Sequence, residues 1–300
     1  MHQWTLSAYT GFGHQPGDEQ MWRDEIPRIA LKQPFLMRGL LAVSALQLAR
    51  LNSAQKEHYL AVAAHHQNLA LPSYRYLIED IGQRMTPDNC HAIVAFSHLT
   101  TAYAFASPHP PGSILFAGLC SSTGVPEWIY LLRGARGILV AAKDWIADGP
   151  LHTSFRGLPE TIDVFLSPED FRLSALGVEI DSLQVTTPEE QHELDIYRES
   201  LFLLRQAFAI PYQPGETLDV KFAVFLWVEI VPTEYLEFLS SLKPLALVIL
   251  AHLCVLLKKC DSFWYVKGAA ERIVYEVNNI LEESWRPWIA WTLRMAQHNS

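Results

Sequence analysis

Two histidine pairs have the residue type and spacing that could bind a metal ion. His65 and His66 are adjacent, so a helix would point them to different faces, whereas His91 and His98 are seven residues apart and would share a face. A zinc site needs further histidine, cysteine or carboxylate ligands at a defined spacing, and neither pair has them. The sequence therefore predicts no metal site, and it predicts that these histidines are exposed or hydrogen-bonded.

Carboxylates could supply acid or base chemistry, but their pattern does not indicate it. Glu189, Glu190, Glu193 and Asp195 lie where a helix is expected to begin, a position that the helix dipole favours, so we interpret them as a solvated first turn. The chain has no G-x-S-x-G elbow, no phosphate-binding loop, no dinucleotide fingerprint and no D-D-x-x-D motif. The sequence therefore predicts no catalytic residue and no cofactor.

The four cysteines are expected to be buried free thiols. Cys90, Cys120, Cys254 and Cys260 form no C-x2-C pair and lie in apolar or helical surroundings. Neither a zinc site nor a disulfide framework is predicted from this spacing.

Composition excludes several classes of protein. Half of the 300 residues are hydrophobic and 18% are charged, which is typical of a folded chain with a large core. The net charge of -9 argues against direct nucleic-acid binding, which needs clustered Lys and Arg. The apolar run Leu245 to Leu257 contains His252 and is too short to span a bilayer, and no secretory signal is visible. We expect no membrane span and a reducing, intracellular compartment.

Most of the chain has a helical period, and strand signals are scarce. Pro34 to Leu51 is apolar on nearly every side, so this helix must lie in a core or line an apolar cavity. The run from Val220 to Val231 could be a strand, although the helical context favours a buried helix, and residues of about 150–188 are interpreted as a connector with short helical pieces. The predicted fold is all-α: a single large helical domain over 1–300, or two tightly merged subdomains, with an apolar core or ligand pocket.

Six passages, in order, resemble one known family. They are WRDEIPRIALKQPFLMRGLLAVSALQLARL, YLAVAAHHQNLALPSYRYL, AIVAFSHLTTAYAFA, WIYLLRGARGILV, PLALVILAHLCVLLKKCDSFWYVKGAAERIVYEVNNIL and WRPWIAWTLRM. Together, from about His2 to about Met295, they resemble the C-terminal regulatory domain of fungal binuclear zinc cluster transcription factors of the sterol uptake control type. The resemblance implies an all-α, homodimeric domain that binds a sterol in an apolar pocket and couples the ligand to nuclear entry and activation.

The resemblance also implies the site residues and the location of the protein. The ligand-binding candidates in the matching C-terminal passages are Leu247, Leu250, Ala251, Cys254, Trp264, Trp288 and Trp291. Each could equally be a core residue, because apolar positions that line a pocket and those that fill a core look alike in a sequence. The implied partner is a hydrophobic, sterol-like small molecule, and the implied location is the nucleus, with shuttling from the cytoplasm.

This chain departs from the family pattern at two places. The six-cysteine zinc cluster of such factors is absent, so the chain is expected to be either the effector domain of a longer factor or a stand-alone relative without the DNA reader. The closing passage reads IAWTLRM, whereas the family usually has a proline after the tryptophan.

Two other functions remain open from the sequence. A stand-alone relative could cyclise a terpenoid or polyketide with a general acid, for which the candidates are Asp163, Glu179, Asp181 and Glu229. A carboxylate buried in the pocket would favour that enzyme, whereas an apolar pocket with a polar mouth would favour a sensor. The third function is that of a dominant-negative partner, which dimerises with full-length factors and removes their DNA binding.

Overall fold

Every regular element in the described parts of the chain is a helix. The computed structural model describes residues 1–13, 16–108, 127–147, 149–152, 161–214 and 218–297, and no strand occurs among them. The predicted all-α fold is confirmed. The run that could have been a strand is the helix Val220–Ile230, in which the Asp219 carboxylate accepts a hydrogen bond of 2.7 Å from the Phe222 backbone N–H. That side-chain cap stabilises the first turn of the helix.

Internal contacts group the chain into two compact units. The first, called unit 1, comprises residues 1–108, 130–158 and 262–266, and unit 2 comprises residues 109–129, 159–261 and 267–300. The helices of unit 1 are α1 (Pro16–Gln20), α2 (Ile26–Ala30), α3 (Pro34–Leu51), α4 (Lys56–Glu79), α5 (Ile81–Arg84), α6 (Cys90–Ala106), α7 (Glu127–Ala141, within the unit from residue 130 onward) and α8 (Lys143–Ile146), with π-helical turns at Trp4–Ala8 and Met21–Glu25 and a 3-10 turn at Ser53–Gln55.

Helix α3 is the core element of unit 1. It packs against α4 and α6, and its contact with α6 is close because Gly39 has no side chain: a Cβ atom there would lie 2.8 Å from two ring carbons of Phe96. Its buried polar side chains have partners, since the Ser44 hydroxyl donates to the Leu40 carbonyl at 2.7 Å and the Gln47 amide pairs with Ser7. The apolar composition of α3 is therefore that of a helix surrounded by protein.

One helix of unit 1 and one bent pair of helices in unit 2 are apolar enough to be compared with a membrane span. Within the described ranges, Pro34–Leu51 alone is long and apolar enough, and 61% of it is buried inside the protein. Thr233–Ser240 and Pro244–Lys258 would pass only as one span, and they are bent by 107° to each other. Because a buried core helix meets the same criteria, these helices give no clear membrane span.

The helices of unit 2 surround a single buried helix. They are α9 (Asp170–Asp181), α10 (Pro188–Ala209), α11 (Val220–Ile230), α12 (Thr233–Ser240), α13 (Pro244–Lys258), α14 (Ala269–Ile280) and α15 (Ala290–Gln297), with 3-10 turns at Val164–Leu166, Ile210–Tyr212 and Arg286–Ile289. Helix α13 contacts α10, α11, α12, α14 and α15. Its residues from Leu245 to Lys258 are all buried, so α13 is the centre of this unit.

Local signals fix the elements around α13. Thr187 and Glu190 form a capping box that begins α10, in which each residue's side chain accepts a hydrogen bond from the other's backbone N–H. Helix α9 is held to α10 by Asp170, whose carboxylate accepts two hydrogen bonds, of 2.7 and 3.0 Å, from the Arg205 guanidinium. This two-point pairing is the geometry that arginine and a carboxylate prefer. Helix α9 lies in the segment interpreted as a connector, of which residues 153–160 lie outside the described residues.

Candidate functional site

Four of the predicted ligand-binding residues lie in the core of unit 2. Leu247, Leu250, Ala251 and Cys254 lie on α13, and each is at most 1% exposed. Burial raises the pKa of the Cys254 thiol far above its usual value, so this side chain is a neutral, apolar packing group. None of the four lines the cavity described below.

A cavity of about 460 Å³ lies beside α13 in unit 2. Its walls come from α9, from one residue of α13 and from the C-terminal segment that carries two of the predicted tryptophans. The lining residues are Arg172, Ala175, Leu176, Glu179, His252, Pro287, Trp288, Ala290, Trp291 and Arg294. The volume lies within the range of small-molecule sites in proteins.

The tryptophan wall is built by two short helical pieces. Pro287 lies in the first turn of the 3-10 segment Arg286–Ile289, which carries Trp288, and α15 follows at once and carries Trp291. Both indole side chains are half-buried, so each has a face that is not covered by protein. The ring of Trp288 lies 5.0 Å from that of Trp285, which lines a neighbouring cavity of about 410 Å³. The structure therefore brings Trp288 and Trp291, of the seven predicted residues, to one cavity.

His252 is the buried polar residue of this site. Its ring lies 5.6 Å from the Trp291 ring, and its Nδ1 lies 2.8 Å from the Val248 carbonyl oxygen. Burial lowers the pKa of His252 to about 4, although the hydrogen bond to Val248 opposes this shift. The imidazole is therefore neutral near pH 7. The sequence analysis did not propose His252, and the available signal was its position as the one polar residue in the apolar run of α13.

Charged side chains surround the open side of the cavity. Arg172, Glu179 and Arg294 line it and are all exposed, and none of them forms an ion pair with another described residue. The other lining side chains include the buried Leu176 and His252 and the half-buried indoles. The arrangement is an aromatic cavity with a charged rim, and it can bind an apolar molecule that carries a polar group.

Trp264 lies in unit 1 and is not part of this cavity. Its indole N–H donates to the Ala8 carbonyl at 3.2 Å, and its ring packs against the cluster formed by Ala45, Leu46 and Ala63. The neighbouring Tyr265 donates to the Gly11 carbonyl at 2.9 Å. The geometry of Trp264 is that of a packing residue that holds the 262–266 segment against the N-terminal residues of unit 1.

The candidate general acids do not meet the condition that the enzyme hypothesis sets. Asp163, Glu179 and Asp181 are exposed, and Glu229 is half-buried. Asp163 caps the turn at Val164–Leu166, and Asp181 pairs with Arg198 at 2.7 Å. A carboxyl group acts as a general acid near neutral pH when burial raises its pKa, and none of these four is buried.

Histidines and cysteines form no metal site in the part of the chain that is described. No group of three or more histidine, cysteine or acidic residues there could hold an ion. His65 and His66 have ring centroids 5.6 Å apart, and the Arg38 guanidinium lies 3.1 Å from Nδ1 of His66. The thiols of Cys90, Cys254 and Cys260 are free and buried, as predicted, and Cys120 lies outside the described residues.

Comparison with known proteins identifies relatives along nearly the whole chain. No family model matches. A Zn(2)-C6 fungal-type transcription factor from Gibberella zeae is 22% identical over 312 aligned residues, which cover 99% of this chain and 61% of that protein. Sterol uptake control protein 2 from Saccharomyces cerevisiae is 31% identical over 122 residues, 41% of this chain and 12% of that protein. The protein of the same name from Candida albicans is 29% identical over 140 residues, 47% of this chain and 18% of that protein.

These relatives are longer than this chain, which spans at most 61% of their length. The six passages and the comparisons point to the same class of protein, the fungal zinc-cluster transcription factors. The resemblance is confirmed: the chain is similar to fungal zinc-cluster transcription factors, and this similarity supports a role in such a factor.

Proposed function

We propose that this chain is the regulatory region of a fungal transcription factor, and that it senses a hydrophobic, sterol-like metabolite through the cavity of unit 2. The observation that carries the proposal is the cavity of about 460 Å³ with the Trp288 and Trp291 indoles in its wall. Indole faces that remain uncovered beside a cavity offer a large contact area to a flat, apolar ligand. The name of the Saccharomyces and Candida relatives supports a sterol as the ligand class.

The distribution of polar groups supports a sensor over a cyclase. The charged lining residues Arg172, Glu179 and Arg294 are exposed, whereas Leu176 and His252 are buried and the Trp288 and Trp291 indoles are half-buried. A cyclase would need a buried acid among the four candidates, and these carboxylates are exposed or half-buried. The enzyme alternative is therefore not proposed.

Self-association is the second part of the proposal. Helices α9 and α10 border a surface groove of about 530 Å³, and Val178 and Phe202 are among the residues that line it. Val178 is 69% exposed and Phe202 is 50% exposed, and Phe171 nearby on α9 is 64% exposed. Exposed apolar residues that lie together favour an interaction surface. We propose that the chain acts as a homodimer in the nucleus, which it enters from the cytoplasm, without binding DNA itself.

Native mass spectrometry of the purified chain tests both parts. We expect a dimer that releases a sterol or another lipid on solvent extraction, in a ratio of one ligand to one chain. Trp291→Ala should remove the ligand with little loss of stability, because this side chain is half-buried beside the cavity. Leu250→Ala is the matched core variant, and it should lower the free energy of unfolding by about 2–5 kcal/mol and retain the ligand.

Other results would contradict the proposal. A chain that carries no hydrophobic molecule, and binds none when sterols are supplied, would remove the sensor function. A monomer at micromolar concentration would remove self-association, and Val178→Glu should produce that monomer if the groove is the interface. The dominant-negative function needs no ligand and stays a prediction, which co-expression with a full-length relative tests through the output of a reporter gene.

A further inference from the structure

His252 lines the cavity of unit 2, and its Nε2 makes no hydrogen bond with any described residue. We propose, on the basis of the proposed ligand-sensing function, that Nε2 of His252 accepts a hydrogen bond from a hydroxyl group of an otherwise apolar ligand that lies against Trp288 and Trp291. The proposal assigns a binding residue and the chemistry of the ligand's polar group.

The tautomer of His252 follows from its hydrogen bond. Nδ1 lies 2.8 Å from the Val248 carbonyl oxygen, and a carbonyl oxygen can only accept. The hydrogen atom must therefore be on Nδ1. In a neutral imidazole, Nε2 then carries the lone pair and acts as an acceptor. Burial lowers the pKa of His252 to about 4, so the neutral form predominates near pH 7.

The position of Nε2 leaves this acceptor to the ligand. His252 is 3% exposed and lines the cavity, and its Nδ1 edge is turned to the backbone of its own helix. Nε2 makes no hydrogen bond with any residue in the described ranges, and it is not enclosed by protein in the way that Nδ1 of His91 is. Because Nε2 stays accessible, a ligand hydroxyl group that reaches it would replace water as its hydrogen-bond donor.

The acceptor and the rim together select among ligand groups. A ketone, an ester or a carboxylate would place lone pairs against the lone pair of Nε2. An ammonium group could donate, but two guanidinium groups, of Arg172 and Arg294, line the same cavity with one carboxylate, of Glu179, so the local charge is positive and disfavours a cation. An uncharged donor meets both conditions, and a hydroxyl is the uncharged donor that a sterol-like ligand carries.

The first experiment changes the ligand and leaves the protein unaltered. The purified chain is titrated with dehydroergosterol, and binding is followed by energy transfer from tryptophan. Cholesterol, cholesterol methyl ether and cholest-4-en-3-one then compete for the site, each delivered from cyclodextrin. We expect cholesterol to compete about ten- to hundred-fold better than the ether or the ketone, because both analogues lack the donor.

Protein variants then assign this preference to one atom. His252→Phe retains an aromatic ring and removes Nε2, so the alcohol, the ether and the ketone should bind with affinities within about two-fold of one another, since no hydrogen bond then separates them. His192→Phe is the matched control, because His192 is an exposed residue of α10 that does not line the cavity, and it should keep the wild-type preference.

The outcomes separate this inference from the proposed function. Equal competition by all three compounds on the wild-type chain would overturn the role of Nε2 while the cavity remained a ligand site. Preference for the alcohol that persists in a folded His252→Phe variant would also overturn it. If dehydroergosterol and the three competitors all fail to bind the wild-type chain, the sterol-like ligand is wrong and this inference falls with it. Competition by the three compounds on the wild-type chain tests the preference for a hydroxyl group even if His252→Phe does not fold.

Discussion

Acidification should destabilise this protein through His252. In the unfolded chain the imidazole titrates with its ordinary pKa of 6.5, whereas in the folded protein burial lowers this pKa to about 4. Between these two values the unfolded state binds more protons than the folded state, so the free energy of unfolding falls as the pH falls. The contribution of His252 is complete above pH 6.5 and is lost as the pH decreases toward 4.

The magnitude follows from the two pKa values. The full shift corresponds to about 3 kcal/mol, and the part lost between pH 7.5 and pH 5.0 is about 2 kcal/mol. Burial also lowers the pKa of His66 and of His91. These two histidines therefore also lower the free energy of unfolding of the wild-type protein as the pH falls. The contribution of His252 must therefore be measured as a difference between variants.

Equilibrium urea unfolding at the two pH values provides the measurement. His252→Gln can still donate a hydrogen bond to the Val248 carbonyl but does not titrate, so it should lose about 2 kcal/mol less than the wild type between pH 7.5 and pH 5.0. His192→Gln, on the exposed face of α10, should lose as much as the wild type. The reasoning would be refuted if His252→Gln and the wild type showed the same loss.

Two further pairs of variants test the packing of unit 1 and of unit 2. Gly39→Ala should destabilise the protein by about 1–3 kcal/mol, because the new Cβ would lie 2.8 Å from ring carbons of the buried Phe96. Gly134→Ala is the control: its new Cβ would meet no neighbouring atom within 4 Å, so the change should be neutral or stabilising. Thermal unfolding of the two variants compares their stabilities. Lys258→Met should lower the free energy of unfolding by about 1–3 kcal/mol, because Lys258 is 7% exposed and pairs with Glu271. When Glu271→Gln is added to this variant, the further loss should be smaller than the loss that Glu271→Gln causes alone. Additive losses in urea unfolding would contradict the pairing.

The fold class could be predicted because hydrophobic period and length determine it directly. Pro34 to Leu51 has no polar stripe, and it is surrounded by protein in unit 1. The run on α13 has one polar residue in thirteen, and every residue of this run is buried. Val220 to Ile230 is rich in branched and aromatic residues, which a strand would also use, so only the helical context favoured the correct assignment.

The candidate site could be predicted only in part, because sequence similarity does not indicate which face of a helix meets a cavity. Leu250 and Cys254 of α13 are enclosed by neighbouring helices, whereas Trp288 and Trp291 lie at the cavity. Trp264 lies in a five-residue segment that belongs to unit 1, a long-range arrangement that spacing cannot reveal. The apolar pattern therefore predicts the helices correctly, but it does not distinguish residues at a cavity from residues in the core.

His252 shows what the apolar pattern conceals. In the sequence it is one interruption in a run of thirteen residues, a pattern that indicates a buried helix and argues against a membrane span but does not indicate binding. A polar side chain in a core helix needs hydrogen-bond partners for its polar atoms. In His252, the hydrogen bond from Nδ1 to the Val248 carbonyl provides a partner for only one of the two ring nitrogens. The second nitrogen has no hydrogen-bond partner among the described residues, and His252 lines the cavity. We therefore expect that a polar residue with one unpaired ring nitrogen, in an otherwise apolar core helix, indicates a ligand site better than the apolar residues around it.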